Sequence, residues 1–131
     1  MNPTARQAEL IRHLRGVESS APTFLTRAEE RGLKDQAGDD WRAGDEMVED
    51  MERIARLEVR SAVDAIERLA TGAATDEPWA VWLASTSAVL AQHAANAGHY
   101  SRRAMRFLQA ELEAGAQRLG VSEPGAGTAD H

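Results

Sequence analysis

The chain has 131 residues, which is the length of a single domain, and a net charge of −6, which disfavours non-specific binding to nucleic acid. It contains no cysteine, so disulfides and thiolate metal ligands are excluded. Leu, Ile, Val and Phe together make only 23 residues, whereas 25 residues are alanine. A core this thin leads us to expect a homo-oligomer, in which a second copy buries part of the apolar surface.

The first third of the chain predicts two short helices and a polar connector. Residues 2–17 begin with Asn-Pro, a typical helix start, and continue with apolar residues at helical spacing. Residues 22–31 predict a second short helix, which a glycine would end. The stretch 34–44 is polar and contains glycine, so we interpret it as a connector.

A long amphipathic helix is predicted from Asp45 to about Ala70, because apolar residues repeat on one face and charged residues on the other. The expected apolar face consists of Met47, Val48, Met51, Ile54, Ala55, Val59, Ala62, Ile66 and Leu69.

The next stretch, residues 78–101, contains no Asp, Glu, Lys or Arg. An uncharged segment of this length in a soluble protein usually lies among other elements, so we predict a central helix over about 77–98. Its polar residues, among them His93, Asn96 and His99, argue against a transmembrane span.

A last helix is predicted to begin at Ser101, with an apolar stripe that ends at Leu119. The expected fold is therefore all-α, a small antiparallel bundle of four to five helices around the central uncharged helix. One domain would cover residues 1–119, and 120–131 would form a flexible tail. The N-terminus lacks the apolar core of a secretory leader, so we expect a cytoplasmic protein with no membrane partner.

Two residues of the long helix break its pattern and indicate contact with a partner. Leu57 lies on the charged face, where an apolar side chain is available to another chain. Glu58 lies on the apolar face, where a carboxylate needs a partner or a raised pKa. An arginine of the last helix, a subunit contact or simple exposure at a gap in the core would each satisfy it.

The start of the long helix belongs to an acidic segment. Residues 35–52 contain eight acidic side chains against one arginine. This segment, with Asp45, Glu46 and Glu49 as its binding residues, predicts a docking surface for a basic protein.

Residues 90–112 allow an alternative interpretation, a DNA-binding regulator. Ala94 and Gly98 have the spacing of a helix-turn-helix unit, although the turn after them is one residue longer than usual. In that interpretation the recognition helix would contact DNA through Ser101, Arg102, Arg103 and Arg106. We rank it second because the chain is acidic overall.

Motifs for catalysis or metal binding do not stand out from the sequence. Asp35 and Glu46 have the spacing of the first and last ligands of a calcium loop, but Ala37 and Asp40 stand where a carboxylate and a glycine are needed. The Glu-x-x-His pairs of di-iron bundles are also missing. We therefore predict no catalytic residue, metal or cofactor, and favour a non-enzymatic module for protein–protein interaction or assembly.

Overall fold

The computed structural model describes residues 3–20, 23–72 and 77–121, and within these ranges it contains five α-helices and no strand. The helices are α1 (Ala5–Ser20), α2 (Arg27–Ala37), α3 (Trp41–Gly72), α4 (Trp79–Asn96) and α5 (Arg102–Val121), and a 3-10 turn at His99–Ser101 precedes α5. The predicted all-α bundle is therefore confirmed. Asn2 and the tail from residue 122 onward lie outside the described residues.

Reciprocal capping sets where the first two helices begin. The backbone N–H of Gln7 donates to the Thr4 hydroxyl at 3.1 Å, and the Thr4 N–H donates to the Gln7 side chain at 2.9 Å. Thr26 and Glu29 form the same box at 3.1 and 2.9 Å. The predicted start of α2 at residue 22 is wrong, because this box starts the helix later. The helix also ends later than predicted, at Ala37, and Gly38 caps it with a φ of 65°.

The long helix α3 begins at Trp41, one turn before the predicted start at Asp45. Gly44 lies inside it, although the sequence placed this glycine in the connector. A Cβ atom at Gly44 would be 3.2 Å from the Cα of Lys34, so glycine here permits close contact between α2 and α3. The predicted connector is correspondingly reduced to three residues, 38–40.

Helix α3 is the centre of the bundle, because it packs against α1, α2, α4, α5 and the 3-10 turn. Its buried residues include Ala55, Val59, Ala62 and Ile66, four of the nine residues predicted for the apolar face. Four more are half-buried, namely Met47, Val48, Met51 and Leu69. Ile54 is an exception, since 42% of its surface is exposed. No helix in the described ranges is long and apolar enough to cross a bilayer.

The uncharged helix α4 is peripheral, so its predicted central position is wrong. It packs mainly against α3 and α5, and it buries Trp82, Thr86 and Leu90 on its inner side. Its alanines lie mostly on the opposite side, where they are exposed. The uncharged outward residues of α4 are therefore not buried by the described part of the chain.

Candidate interaction surface

The outward side of α4 is an exposed surface without a single charged residue. We call it the α4 face, and it consists of Ala80, Val81, Ala84, Ser87, Ala88, Ala91, Gln92 and Ala95. At 1.5 Å per residue, the face is about 22 Å long. Val81 is its largest apolar side chain and is 50% exposed.

The residues at the middle of the α4 face follow a seven-residue repeat. Ala84, Ala88, Ala91 and Ala95 are separated by four, three and four positions, the spacing that keeps one seam of a helix turned toward a partner helix. Each of these residues presents only a methyl group, so a second helix can approach to the short end of the usual 8–10 Å range. The surface is therefore suited to close packing against another helix.

A groove between α4 and α5 borders the face on one side. Its main section has a volume of about 540 Å³ and is lined by apolar residues that include Ala84, Leu90 and Leu112. Gln109 lines this section and also a neighbouring one beside Ala95. The two sections lie one after the other along the antiparallel pair of helices and share Gln109.

The rim of this groove on α5 carries opposite charges at its two ends. Arg102 and Arg106 line the section beside Ala95, whereas Glu113 lines the section beside Ala84. All three charged side chains are exposed. Within the described ranges, none of them forms an ion pair in its own chain.

The two partner-binding residues predicted on α3 occupy different surroundings. Leu57 is 48% exposed and follows the exposed Ile54 by one turn, so the two make a small apolar patch. Glu58 is half-buried, and its carboxylate accepts a 3.4 Å hydrogen bond from the Gly98 N–H.

Glu58 also lines a polar cleft of about 450 Å³ between α3 and α4. Its other polar lining residues are Ser61, Gln92, His93 and Asn96, and its lining includes no arginine or lysine. The arginine partner considered for Glu58 therefore does not line the cleft. Within the described ranges, no group of three acidic or histidine side chains is arranged to hold a metal ion.

The predicted acidic binding residues lie at the beginning of α3. Asp45, Glu46 and Glu49 are all exposed, and the Asp45 carboxylate lies 3.7 Å from the Lys34 ammonium. The same segment exposes 68% of Trp41, a feature that the sequence interpretation missed because it placed this residue in a connector. The Arg42 guanidinium lies 5.5 Å from the centre of the Trp41 ring. An exposed tryptophan in an acidic segment is a suitable anchor for a partner.

The four residues of the DNA-binding alternative do not share one exposed surface. Ser101 is buried in the 3-10 turn. Arg103 donates a hydrogen bond to the Leu25 carbonyl at 3.4 Å, and its guanidinium lies 5.1 Å from the centre of the Phe107 ring. Arg102 and Arg106 are the two that remain exposed.

Glu52 is a structural residue that the sequence interpretation did not single out. Its carboxylate accepts hydrogen bonds from the N–H groups of Phe24 at 2.8 Å and Leu25 at 3.0 Å, and from the Thr23 hydroxyl. Burial raises the pKa of Glu52, but these hydrogen bonds and the nearby Arg56 outweigh burial and lower it below its ordinary value. Glu52 thus fixes the segment before α2 against α3.

Comparisons with known proteins do not assign this chain to a family. No protein-family model, no curated protein and no solved structure matches it. The functional argument therefore depends on the surface chemistry of the α4 face, the polar cleft and the acidic segment.

Proposed function

We propose that this protein is a non-enzymatic assembly module, and that it associates with a second copy of itself through the α4 face. The observation that carries the proposal is a helix face about 22 Å long that is exposed and has no charged residue. Protein surfaces in contact with water normally carry charged side chains, and contiguous apolar patches often mark interaction sites.

The size of the exposed side chains sets the expected strength of this association. Burial of apolar surface contributes about 25 cal/mol per Å², and a methyl group offers little area. Alanine loses no side-chain entropy when it is packed, so no such loss reduces the free energy gained by burying its methyl group. We therefore expect a reversible complex whose population depends on protein concentration.

The acidic segment supports a second contact in the same functional class. Asp45, Glu46 and Glu49 present negative charge beside the exposed Trp41. We propose that a basic protein docks there, with Trp41 as the apolar anchor and the carboxylates accelerating association. The DNA-binding alternative has less support, because Ser101 is buried and Arg103 is used within the fold.

Sedimentation equilibrium tests self-association directly. The wild-type protein should show an average mass that rises from monomer toward dimer between low and high micromolar concentration. Ala91→Glu places a charge in the middle of the α4 face and should keep the protein monomeric at the same concentrations. Helix content by circular dichroism should not change, since Ala91 is exposed and glutamate is a good helix former.

The matched control is Ala114→Glu, which adds the same charge on α5. Ala114 is exposed and lines neither section of the groove. This variant should associate like the wild type. A wild-type protein that stays monomeric throughout, or an Ala91→Glu variant that associates as well as the control, would contradict the proposal.

A further inference from the structure

We infer that two copies pack α4 against α4 in an antiparallel pair, with a two-fold axis level with residues 89–90 and with Arg106 opposite the partner's Glu113. This inference rests on the proposed self-association and specifies its geometry. Its basis is the position of the alanines on α4, the position of α5 beside α4 and the charges along the groove.

The alanine repeat defines the register of the pair. In an antiparallel arrangement that places Ala88 opposite the partner's Ala91, Ala84 comes to lie opposite the partner's Ala95. All four central alanines then meet alanines, so the helix backbones approach closely along the whole contact. The midpoint of this register lies between residues 89 and 90.

The two-fold axis determines where the neighbouring helices lie. An axis that relates two antiparallel helices is perpendicular to the plane that contains them both. Any element beside α4 in one copy is therefore on the same side of the pair in the other copy. Because α5 flanks α4, the two α5 helices face each other across the interface and run in opposite directions.

The charges on α5 fit this arrangement. Arg106 lies at the Ala95 end of the groove and Glu113 at the Ala84 end, so reversing one copy brings Arg106 opposite the partner's Glu113. The midpoint of Arg106 and Glu113 falls between residues 109 and 110. Leu90 is the last α4 residue and Gln109 the first α5 residue that line the main section, so the two lie at the same end of it. The midpoints of the α4 and α5 registers therefore lie at nearly the same level.

A parallel pair of α4 helices does not use these charges. Its two-fold axis runs along the helices and places the two α5 helices on opposite sides of the pair. Arg106 and Glu113 would then remain unpaired, as they are within the described part of a single chain. Self-complementary charge therefore selects the antiparallel arrangement.

Cysteine cross-linking distinguishes the two arrangements, and the natural chain contributes no background because it has no cysteine. An equal mixture of the Ala84→Cys and Ala95→Cys variants should form a disulfide-linked dimer on mild oxidation, whereas each variant alone should form little. A disulfide needs Cα atoms about 4.4–6.8 Å apart, which only the proposed register provides for this pair. Efficient cross-linking of each variant with itself would overturn the antiparallel geometry.

Charge exchange tests the α5 contact independently. Arg106→Glu and Glu113→Arg should each raise the dissociation constant by about tenfold, since each places like charges opposite each other twice per dimer. The double variant restores opposite charges and should return close to the wild-type constant. Single variants that bind like the wild type, or a double variant that does not recover, would also overturn the inference.

These results separate the geometry from the proposed function. The wild-type protein could dimerise, and Ala91→Glu could prevent this, while the cysteine variants cross-link each with itself. That result would support the proposed function and refute the antiparallel register. A protein that never dimerises refutes both.

Discussion

Two sides of the bundle differ in their charged residues. The side formed by α1 and α3 has ion pairs between its helices, whereas the outward side of α4 has no charged residue. Arg15 of α1 contacts Asp64 at 2.7 Å and Glu67 at 2.5 Å on α3, and Glu18 pairs with Arg60. The α4 face has no charged residue over its whole length. Glu67 and Arg60 on the first surface and Ala88 and Ala91 on the second are all exposed, so the difference is one of chemistry.

This difference supports the proposal that the α4 face is the surface covered by a second chain. Ion pairs at a protein surface contribute only about 0–1 kcal/mol, but they keep that surface hydrated and hinder non-specific association. The α4 face has no ion pairs that would hinder association. Because it has no charged residue, its burial by a partner would also require no desolvation of charge. We therefore propose that the interface lies on α4, and that the ion-paired surface of α1 and α3 stays in contact with water.

The largest predicted effect separates the two sides of α4 itself. Trp82 is 1% exposed and its neighbour Val81 is 50% exposed. Trp82→Ala should lower the free energy of unfolding by about 3–5 kcal/mol, because it removes a large side chain from the core. Val81→Ala in dilute solution should change it by less than about 0.5 kcal/mol.

Urea denaturation of both variants at low micromolar concentration measures this contrast. Equal losses of stability would mean that the outward and inward sides of α4 have been assigned wrongly.

A smaller effect on stability is expected for substitution of Glu52, a charged residue of α3. Glu52→Gln should lower the free energy of unfolding by about 1–2 kcal/mol, since a neutral amide is a weaker acceptor for the Phe24 and Leu25 N–H groups. Glu46→Gln is the matched control, because Glu46 is exposed on the same helix and should change stability by less than about 0.5 kcal/mol.

The pH dependence of this effect follows from the lowered pKa of Glu52. A carboxyl group whose folded pKa is below its unfolded pKa stabilises the fold above the unfolded value, about 4.3 for glutamate. This contribution is lost as the pH falls through the folded pKa. The stability difference between wild type and Glu52→Gln should therefore shrink under acidic conditions, and a difference that is constant with pH would contradict the assignment.

Much of the fold follows from the sequence because helical periodicity is a local property. The inner face of α3, with Ala55, Val59 and Ile66, was predicted correctly, and so was the start of α5 near Ser101. The error at the start of α2 arose because a local signal, the Thr26–Glu29 capping box, was overlooked. The error at the start of α3 arose next to a tertiary contact. Gly44 stays helical because α2 passes close to it, which the sequence alone does not indicate.

The candidate surface was predicted less well, for a physical reason. A lack of charge indicates that a helix is covered, but it does not say whether the cover belongs to the same chain or to another. The exposed position of Leu57 was predicted from its place on the charged face of α3. The exposed position of Ala88 was not, because α4 was assumed to lie inside the bundle.

The central claim is that a second chain covers the α4 face, and the accessibility of residue 88 tests it most directly. Ala88→Cys introduces the only thiol of the chain at the middle of the face, and Ala114→Cys provides an exposed reference on α5. The rate of maleimide modification should be measured for both over a wide range of protein concentration, in oxygen-free buffer after the reductant has been removed. We predict that Cys at 88 reacts as fast as the reference at low concentration and becomes protected as concentration rises. Equal rates for the two thiols at every concentration would contradict the account.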